Sequence, residues 1–448
     1  GYKGVIFMKA VSEQTIQAMN QLCEKNTHQK AMRRALAKNP IDSIAYVTES
    51  EQKNQFRFSI DIETLPVTNQ KASGRCWLFA GLNVVRELVA KKYQLKEFEL
   101  SQNYQAFWDK FEKINYFLEA MDDFLVCDGD DRTLKHLLQM GIQDGGQWDM
   151  FVSLVDKYGV VPKDQMPETY ASSNTGAMNK LINIKLRKYA AEARLLVKSG
   201  LLKEKEALKS EVLQSLYDFL CTNFGVPPTQ ISFEYVNKQN QYFKTDFDSP
   251  KAFFDHLGLN LHDYVSIIDS PTEDKPYERS YTIAYLGNVI GGKPIKHLNL
   301  PMSRLKALVI SQLKDQEIVW FGADVARDGD REKGIWDDQA YDYETAFQMS
   351  FSMTKEQKLD YLQGAMNHAM VITGVNLENG EATKWKIENS WGSDRGLKGY
   401  YLMSGSWFDA NTYQAVIHKK YLTDAELKAY QSEPIVLKPW DPMGSLAK

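Results

Sequence analysis

Two periods of apolar residues divide this chain. In the first half they recur at helical spacing. Leu78, Leu82, Val85 and Val89 share one face of a helix that begins near Cys76, and the turn residues Thr68, Asn69, Ser73 and Gly74 precede it. An earlier helix is predicted over 11–38, with Ser12 as N-cap, Ile16, Met19 and Cys23 on one face and Pro40 at its end. Residues 41–66 read as mixed and extended, 67–170 as mostly helical, 176–224 as helical and basic, and 227–317 as a mixture of helix and loop.

Towards the C-terminus the period changes to two. EIVWFGADV, 317–325, is β-branched and aromatic and predicts a strand, and a second strand starts at His368. Asn379-Gly380 is a two-residue hairpin signal. Beyond it Trp385, Ile387 and Asn389 alternate with Lys384, Lys386 and Glu388, as on a half-buried strand. A turn at 379–380 sets Met370 opposite Asn389 and His368 opposite Trp391, so His368 and Asn389 become diagonal neighbours on one face.

A short helix, 422–431, precedes the last stretch, EPIVLKPWDPMGSLAK. Pro434, Pro439 and Pro442 favour an extended path, while Ile435, Val436, Leu437, Trp440 and Met443 are too apolar for a free tail and predict docking. The pattern predicts an α+β fold in five segments: an N-terminal arm (1–66), a helical lobe (67–170), a helical insertion (171–316), a β-rich lobe (317–420) and a tail (421–448).

The candidate chemistry sits where these patterns meet. Cys76 falls in the first turn of its helix, where free N–H groups and the helix dipole favour a thiolate, the nucleophilic form. Gln70, six positions earlier, can fold back and donate to a developing oxyanion. A thiol nucleophile needs a base, and a base with two ring nitrogens needs an acceptor that fixes its tautomer. His368 and Asn389 meet those needs, with Trp391 placed to shelter their hydrogen bond. In Asp144-Gly145-Gly146-Gln147-Trp148 the paired glycines allow close backbone approach, in a plain loop or in a binding groove.

Composition narrows the remaining choices. The 448 residues are 43% hydrophobic and 25% charged, with a net charge of −4, which gives no global case for nucleic acid or an anionic membrane. Four cysteines without CxxC spacing argue against a disulfide framework or a zinc site and fit a reducing cytoplasm. His256 and His262 form a poor metal constellation, so no metal or cofactor is expected. No stretch approaches the 18 apolar residues of a membrane span. Met8 reads as a natural start, with residues 1–7 as an addition. From Lys180 to Lys209 nine Lys/Arg form either a solvated helix face or a wall facing nucleic acid.

PVTNQKASGRCWLFA, the His368 strand, Asn389-Ser390-Trp391-Gly392 and the 396–401 stretch GLKGYY together resemble the papain-like cysteine peptidases. More narrowly they resemble the bleomycin hydrolase/aminopeptidase C family, in which Arg75 before the cysteine is usual. The resemblance implies a papain-like two-lobed fold with catalytic Cys76, His368 and Asn389, oxyanion donor Gln70, shielding Trp391, and Gly145 and Gly146 along the substrate groove. His368 follows Cys76 by 292 positions, against roughly 130–150 in the wider family, so a large insertion is required.

By the same resemblance the tail enters the cleft, with Ala447 and Lys448 at the substrate's amino end and Lys448 a candidate for self-removal. The function implied is a cysteine aminopeptidase acting on peptides with a free N-terminus, as a cytoplasmic homohexamer. The alternatives are a nucleic-acid-binding cage with secondary peptidase activity, and an endopeptidase with an open cleft.

Overall fold

The structure, a computed structural model, describes residues 8–446. These form two compact units: the chain up to Gln55 with Asp338–Met353, and Phe56–Asp337 with the chain from Thr354 onward.

In the first unit the helix expected over 11–38 is two helices, Glu13–Lys25 and Thr27–Leu36. Ser12 caps the first by accepting from the Thr15 amide. Asn26 breaks the run because its extended backbone and side-chain carbonyl, which accepts from the Gln29 amide at 3.0 Å, make it the cap of the second. Neither helix buries a residue, and Ile16, Met19 and Leu22 stay exposed.

The second unit is α+β, with a helical lobe packed on a sheet. Cys76–Tyr93 runs through the lobe centre, with Leu78, Leu82, Val85 and Val89 all at most 1% exposed. Around it lie Gln102–Ala120, Trp148–Tyr158 and the antiparallel pair Gly176–Lys198 and Leu202–Phe224, which fills the basic helical stretch. Among the described residues no helix is long and apolar enough to cross a membrane.

Among the described residues the sheet has twelve strands. Its centre is Thr412–His418, Val319–Ala323, His368–Glu378, Glu381–Glu388 and Tyr400–Ser404 in that spatial order. Along His368–Glu378 the side chains divide by parity: Ala369 and Val371 join the core shared with the Cys76 helix, and Met370 and Ile372 join the core on the other face. The strand is therefore buried on both sides, and its start packs against the Cys76 helix.

The sheet also reaches back into the stretch expected as a helical insertion. Tyr264–Ile268 pairs with Thr412–His418, followed outward by His297–Asn299 and Arg279–Ile283. Tyr264–Ile268 is buried at every position, and a strand covered on both faces shows no alternation in sequence. The tail strand Ile435–Leu437 closes that edge by pairing with Arg279–Ile283.

The Asn379-Gly380 hairpin has the expected two-residue turn, with φ of +52° and +80°. Val371 faces Glu388 and Ile372 faces Ile387, the register inferred from the turn. Two irregularities, at Ile372/Gly374 and Asn376/Leu377, shift the middle pairs by one and then restore them.

Candidate active site

Three chain segments converge at the start of the Cys76 helix. Thr68–Gln70 lies antiparallel to Ser390–Gly392: the Gln70 amide donates to Ser390 O at 2.8 Å and the Gly392 amide to Thr68 O at 2.9 Å. This pairing brings the loop before the cysteine beside the strand end that carries Asn389. The third segment is the start of His368–Glu378, whose Ala369 amide donates to Cys76 Sγ at 3.4 Å. The sulfur therefore meets the main chain one residue beyond His368.

His368 Nε2 lies 2.9 Å from Asn389 Oδ1. An amide oxygen only accepts, so Nε2 carries the proton and Nδ1 keeps a lone pair. The Ser390 amide donates to the same Asn389 oxygen at 2.8 Å and holds the side chain in place. Trp391 stacks on the His368 ring, with centroids 4.9 Å apart and planes 29° apart, and Arg331 lies 4.6 Å from the Trp391 ring centroid on the indole face. His368 and Asn389 are both buried.

Burial changes the electrostatics expected from the helix terminus. Cys76 is fully buried, which pushes its thiol up to about 12 despite the opposing amides of Ala369 and Trp77. The same burial moves His368 down to about 4, against the pull of Asn389. This burial works against the readily formed thiolate expected from the sequence and favours a neutral thiol and a neutral imidazole, because desolvation penalises both charged forms.

Gln70 is buried at the expected place, but its Nε2 donates to Ser73 O at 2.9 Å. An amide nitrogen carries two hydrogens, which leaves one for a substrate oxygen. Arg75 explains how this loop is held. Its guanidinium donates to both carboxylate oxygens of Glu168, at 3.0 and 2.6 Å, to Ser73 Oγ at 2.8 Å and to Gln70 O at 3.2 Å. Glu168 was not legible as a site residue, since only the fold brings it beside Arg75.

Asp144 joins the nucleophile loop to the glycine pair. Its carboxylate accepts from the Gly74 amide at 2.8 Å, from Thr175 Oγ1 at 2.5 Å, from Asn179 and from Lys110, while its carbonyl accepts from Trp77 Nε1 at 2.7 Å. Burial works against the charge, but Lys110 and these donors hold the carboxyl well below the usual range. Lys113 donates to the carbonyls of Gln143 and Gly145, at 2.7 and 2.5 Å. Gly146 must be glycine, because a Cβ there would stand 2.7 Å from the Trp77 ring.

The Gly146 edge is occupied by the chain's own tail. Leu446 forms an antiparallel bridge with Gly146, and its amide donates to Gly146 O at 3.0 Å. Of the apolar tail residues expected to dock, Leu437 and Met443 are buried and the Trp440 ring lies 3.9 Å from the Arg132 guanidinium, whereas Ile435 and Val436 stay exposed because their short strand lies at the sheet edge; Leu446, beyond them, is fully buried. Ala447 and Lys448 lie outside the described residues.

The remaining candidates have structural surroundings. Of the nine basic residues from Lys180 to Lys209, five engage groups of this chain. Arg187 and Arg194 donate to main-chain carbonyls, Lys188 pairs with Glu192, and Lys205 and Lys209 pair with Asp122. His262 pairs with Asp156 at 2.6 Å, and His256 packs on Phe247. Among the described residues no group of three or more His, Cys, Asp or Glu could hold a metal ion.

The chain is similar to known proteins over most of its length. The profile of the Peptidase C1-like family matches residues 10–444. The chain is 46% identical over 425 residues to an aminopeptidase C of Lactococcus lactis, covering 94% of this chain and 96% of that protein. It is 40% identical over 403 residues to the bleomycin hydrolase of Gallus gallus, covering 88% and 89%. Among solved structures, pepW from Lactobacillus rhamnosis HN001 superimposes with a TM-score of 0.95 at 44% identity, over 97% of this chain and 98% of that one.

Proposed function

The chain belongs to the Peptidase C1-like family, and we propose that it is a cysteine aminopeptidase working through Cys76, His368 and Asn389. His368 Nδ1 takes the thiol proton as sulfur attacks the peptide carbonyl, so the ion pair forms during attack. The imidazolium then protonates the leaving amine, a thioester remains on Cys76, and water releases it. Asn389 keeps Nε2 protonated and adds no charge, while Trp391 shields that bond. Gln70 and the Cys76 amide face the oxyanion; losing one such donor typically costs about 10²–10³ in rate.

The observation that carries the aminopeptidase reading is the bridge from Leu446 to Gly146. A groove whose main-chain edge is already paired admits only the end of a peptide, which favours free N-termini over internal bonds. Relatives named aminopeptidase C, 44–46% identical over nearly the whole chain, support the same reading. A chain lacking 445–448 is the test. It is expected to cleave N-acetylated peptides that the full chain leaves intact; continued restriction to free N-termini would remove the tail from the account.

The proposal extends to assembly, for which the first unit gives support. The helix Glu13–Lys25 exposes Ile16, Met19 and Leu22 along one side, a face suited to a second copy of this chain. We assign a cytoplasmic homo-oligomer, with the hexamer implied by the family resemblance, to be tested by sedimentation of the chain and of an Ile16→Glu/Met19→Glu variant. The nucleic-acid reading loses ground, because five of the nine basic residues from Lys180 to Lys209 engage groups of this chain. Oligonucleotide binding with a steep salt dependence would restore it.

A further inference from the structure

Two consecutive carbonyls of the tail are held by a connected set of buried side chains. Gln147, which precedes the helix Trp148–Tyr158, donates from Nε2 to Gly444 O. Its Oε1 accepts from Gln414 Nε2 at 2.9 Å, and that nitrogen donates its second hydrogen to Ser266 Oγ at 2.7 Å. Ser266 Oγ is 2.7 Å from His297 Nδ1, and His297 Nε2 is 3.2 Å from Met443 O. The directions are forced. A carbonyl only accepts, so His297 carries its proton on Nε2, Nδ1 accepts from the Ser266 hydroxyl, and Ser266 accepts from Gln414.

None of the four side chains is more than 1% exposed. They come from both lobes: Gln147 from the helical side, and Ser266, His297 and Gln414 from three neighbouring strands. Burial also pushes His297 down from its ordinary value, which keeps it in the neutral form that the chain of donors requires.

We propose that Gln147, Gln414, Ser266 and His297 are the specificity-determining grip that keeps the tail in the substrate groove. The inference rests on the tail-limited aminopeptidase reading above and deepens it. The grip acts on main-chain carbonyls, so it is indifferent to tail side chains and fixes the height at which the tail lies. Leu446, two residues beyond Gly444, is thereby delivered to Gly146. The tail has a second fastening upstream, where Lys275 pairs with Asp441 at 3.0 Å and the Asp441 carboxylate caps the turn to Met443. That fastening places the turn, and the four-residue grip seats the tail residues beyond the turn.

The test compares turnover of one peptide in free and N-acetylated forms. His297→Leu removes the donor to Met443 O and is expected to raise the acetylated-to-free ratio at least tenfold. His297→Gln, which can still donate an amide hydrogen to that carbonyl, is expected to keep the parental ratio. A purely structural role would lower both rates together and leave the ratio unmoved, and that result, in a His297→Leu protein that melts cooperatively, overturns the grip. Should His297→Leu not fold, Ser266→Ala removes one hydroxyl and carries the same readout, with the same ratio deciding. The chain lacking 445–448 separates the two levels. A raised ratio there with an unmoved ratio in the grip variants sinks the grip alone. No rise in the shortened chain sinks the tail reading, and the grip with it.

Discussion

Arg86, on the helix that starts at Cys76, donates to Glu388 at 3.0 Å, and Glu388 is the residue before Asn389. Both side chains are buried, so one ion pair joins the nucleophile's helix to the strand that ends at the imidazole's partner. Burial pushes Glu388 up to about 7, against the pull of Arg86 and with the push of Glu87. Between the ordinary value of 4.5 and about 7 the folded chain binds a proton that the unfolded chain has lost, so this group's contribution to stability declines as pH rises through that window. The stability of Glu388→Gln relative to the parent should therefore grow from pH 4.5 to pH 7.5, by on the order of 3 kcal/mol. Urea midpoints of the two proteins at both pH values measure it; a difference that stays constant with pH would exclude this titration.

The imidazole has the opposite linkage. His368 is held near 4 by burial, below its ordinary 6.5. Between those values the unfolded chain binds the extra proton, so this contribution is complete above pH 6.5 and is lost as pH falls towards 4. Activity follows the same group, since a protonated ring cannot accept the thiol's hydrogen. The acid limb of kcat/KM should fall well below pH 6.5, towards about 4. A limb centred at 6.5 would show that the free enzyme does not hold the ring desolvated.

Asn389 is a positioning residue for that ring. Asn389→Ala leaves Nε2 without its acceptor, and the imidazole is free to take the wrong tautomer. The expected loss in kcat is on the order of ten- to a hundredfold, within the ~10²–10⁴ that acid–base catalysis supplies as a whole. KM should change little, because Asn389 touches the ring and not the peptide. A variant that loses affinity but keeps kcat would assign Asn389 to substrate binding instead.

Asp144 couples stability to the nucleophile loop. Its carboxylate holds the Gly74 amide and neutralises the buried Lys110. Asp144→Asn leaves that ammonium uncompensated, a change that costs about 3–5 kcal/mol in buried pairs. Thermal unfolding should shift down accordingly, and at temperatures where the variant stays folded kcat should still fall, because Gly74 lies in the loop that places Gln70. Parental kcat at a lowered melting temperature would separate the two roles.

Much of this centre was legible in the sequence because its signals are local. The Asn379-Gly380 turn fixes the register, and the register alone places His368 diagonal to Asn389. The helical period after Cys76 marks the face that packs. What escaped was set by contacts distant in sequence. Glu168 stands 93 positions from Arg75 and Glu388 302 from Arg86, and no spacing rule pairs them. His297 showed no motif, because its partners Ser266 and Met443 meet it only through sheet order and the tail's path. The strand Tyr264–Ile268 hid for another reason: a short run buried on both faces has no period to read. The burial of the Cys76 thiol was not legible either, since helix-terminus logic supplies the dipole but not the depth of burial that opposes it.

The most direct measurement is hydrolysis of a matched pair of peptides, one with a free N-terminus and one N-acetylated, by the full chain and by Cys76→Ala. A tail-guarded thiol peptidase predicts stepwise loss of residues from the free peptide, an intact acetylated peptide, and no turnover of either by Cys76→Ala. Comparable cleavage of the acetylated peptide by the full chain, or residual turnover by a folded Cys76→Ala protein, would contradict it.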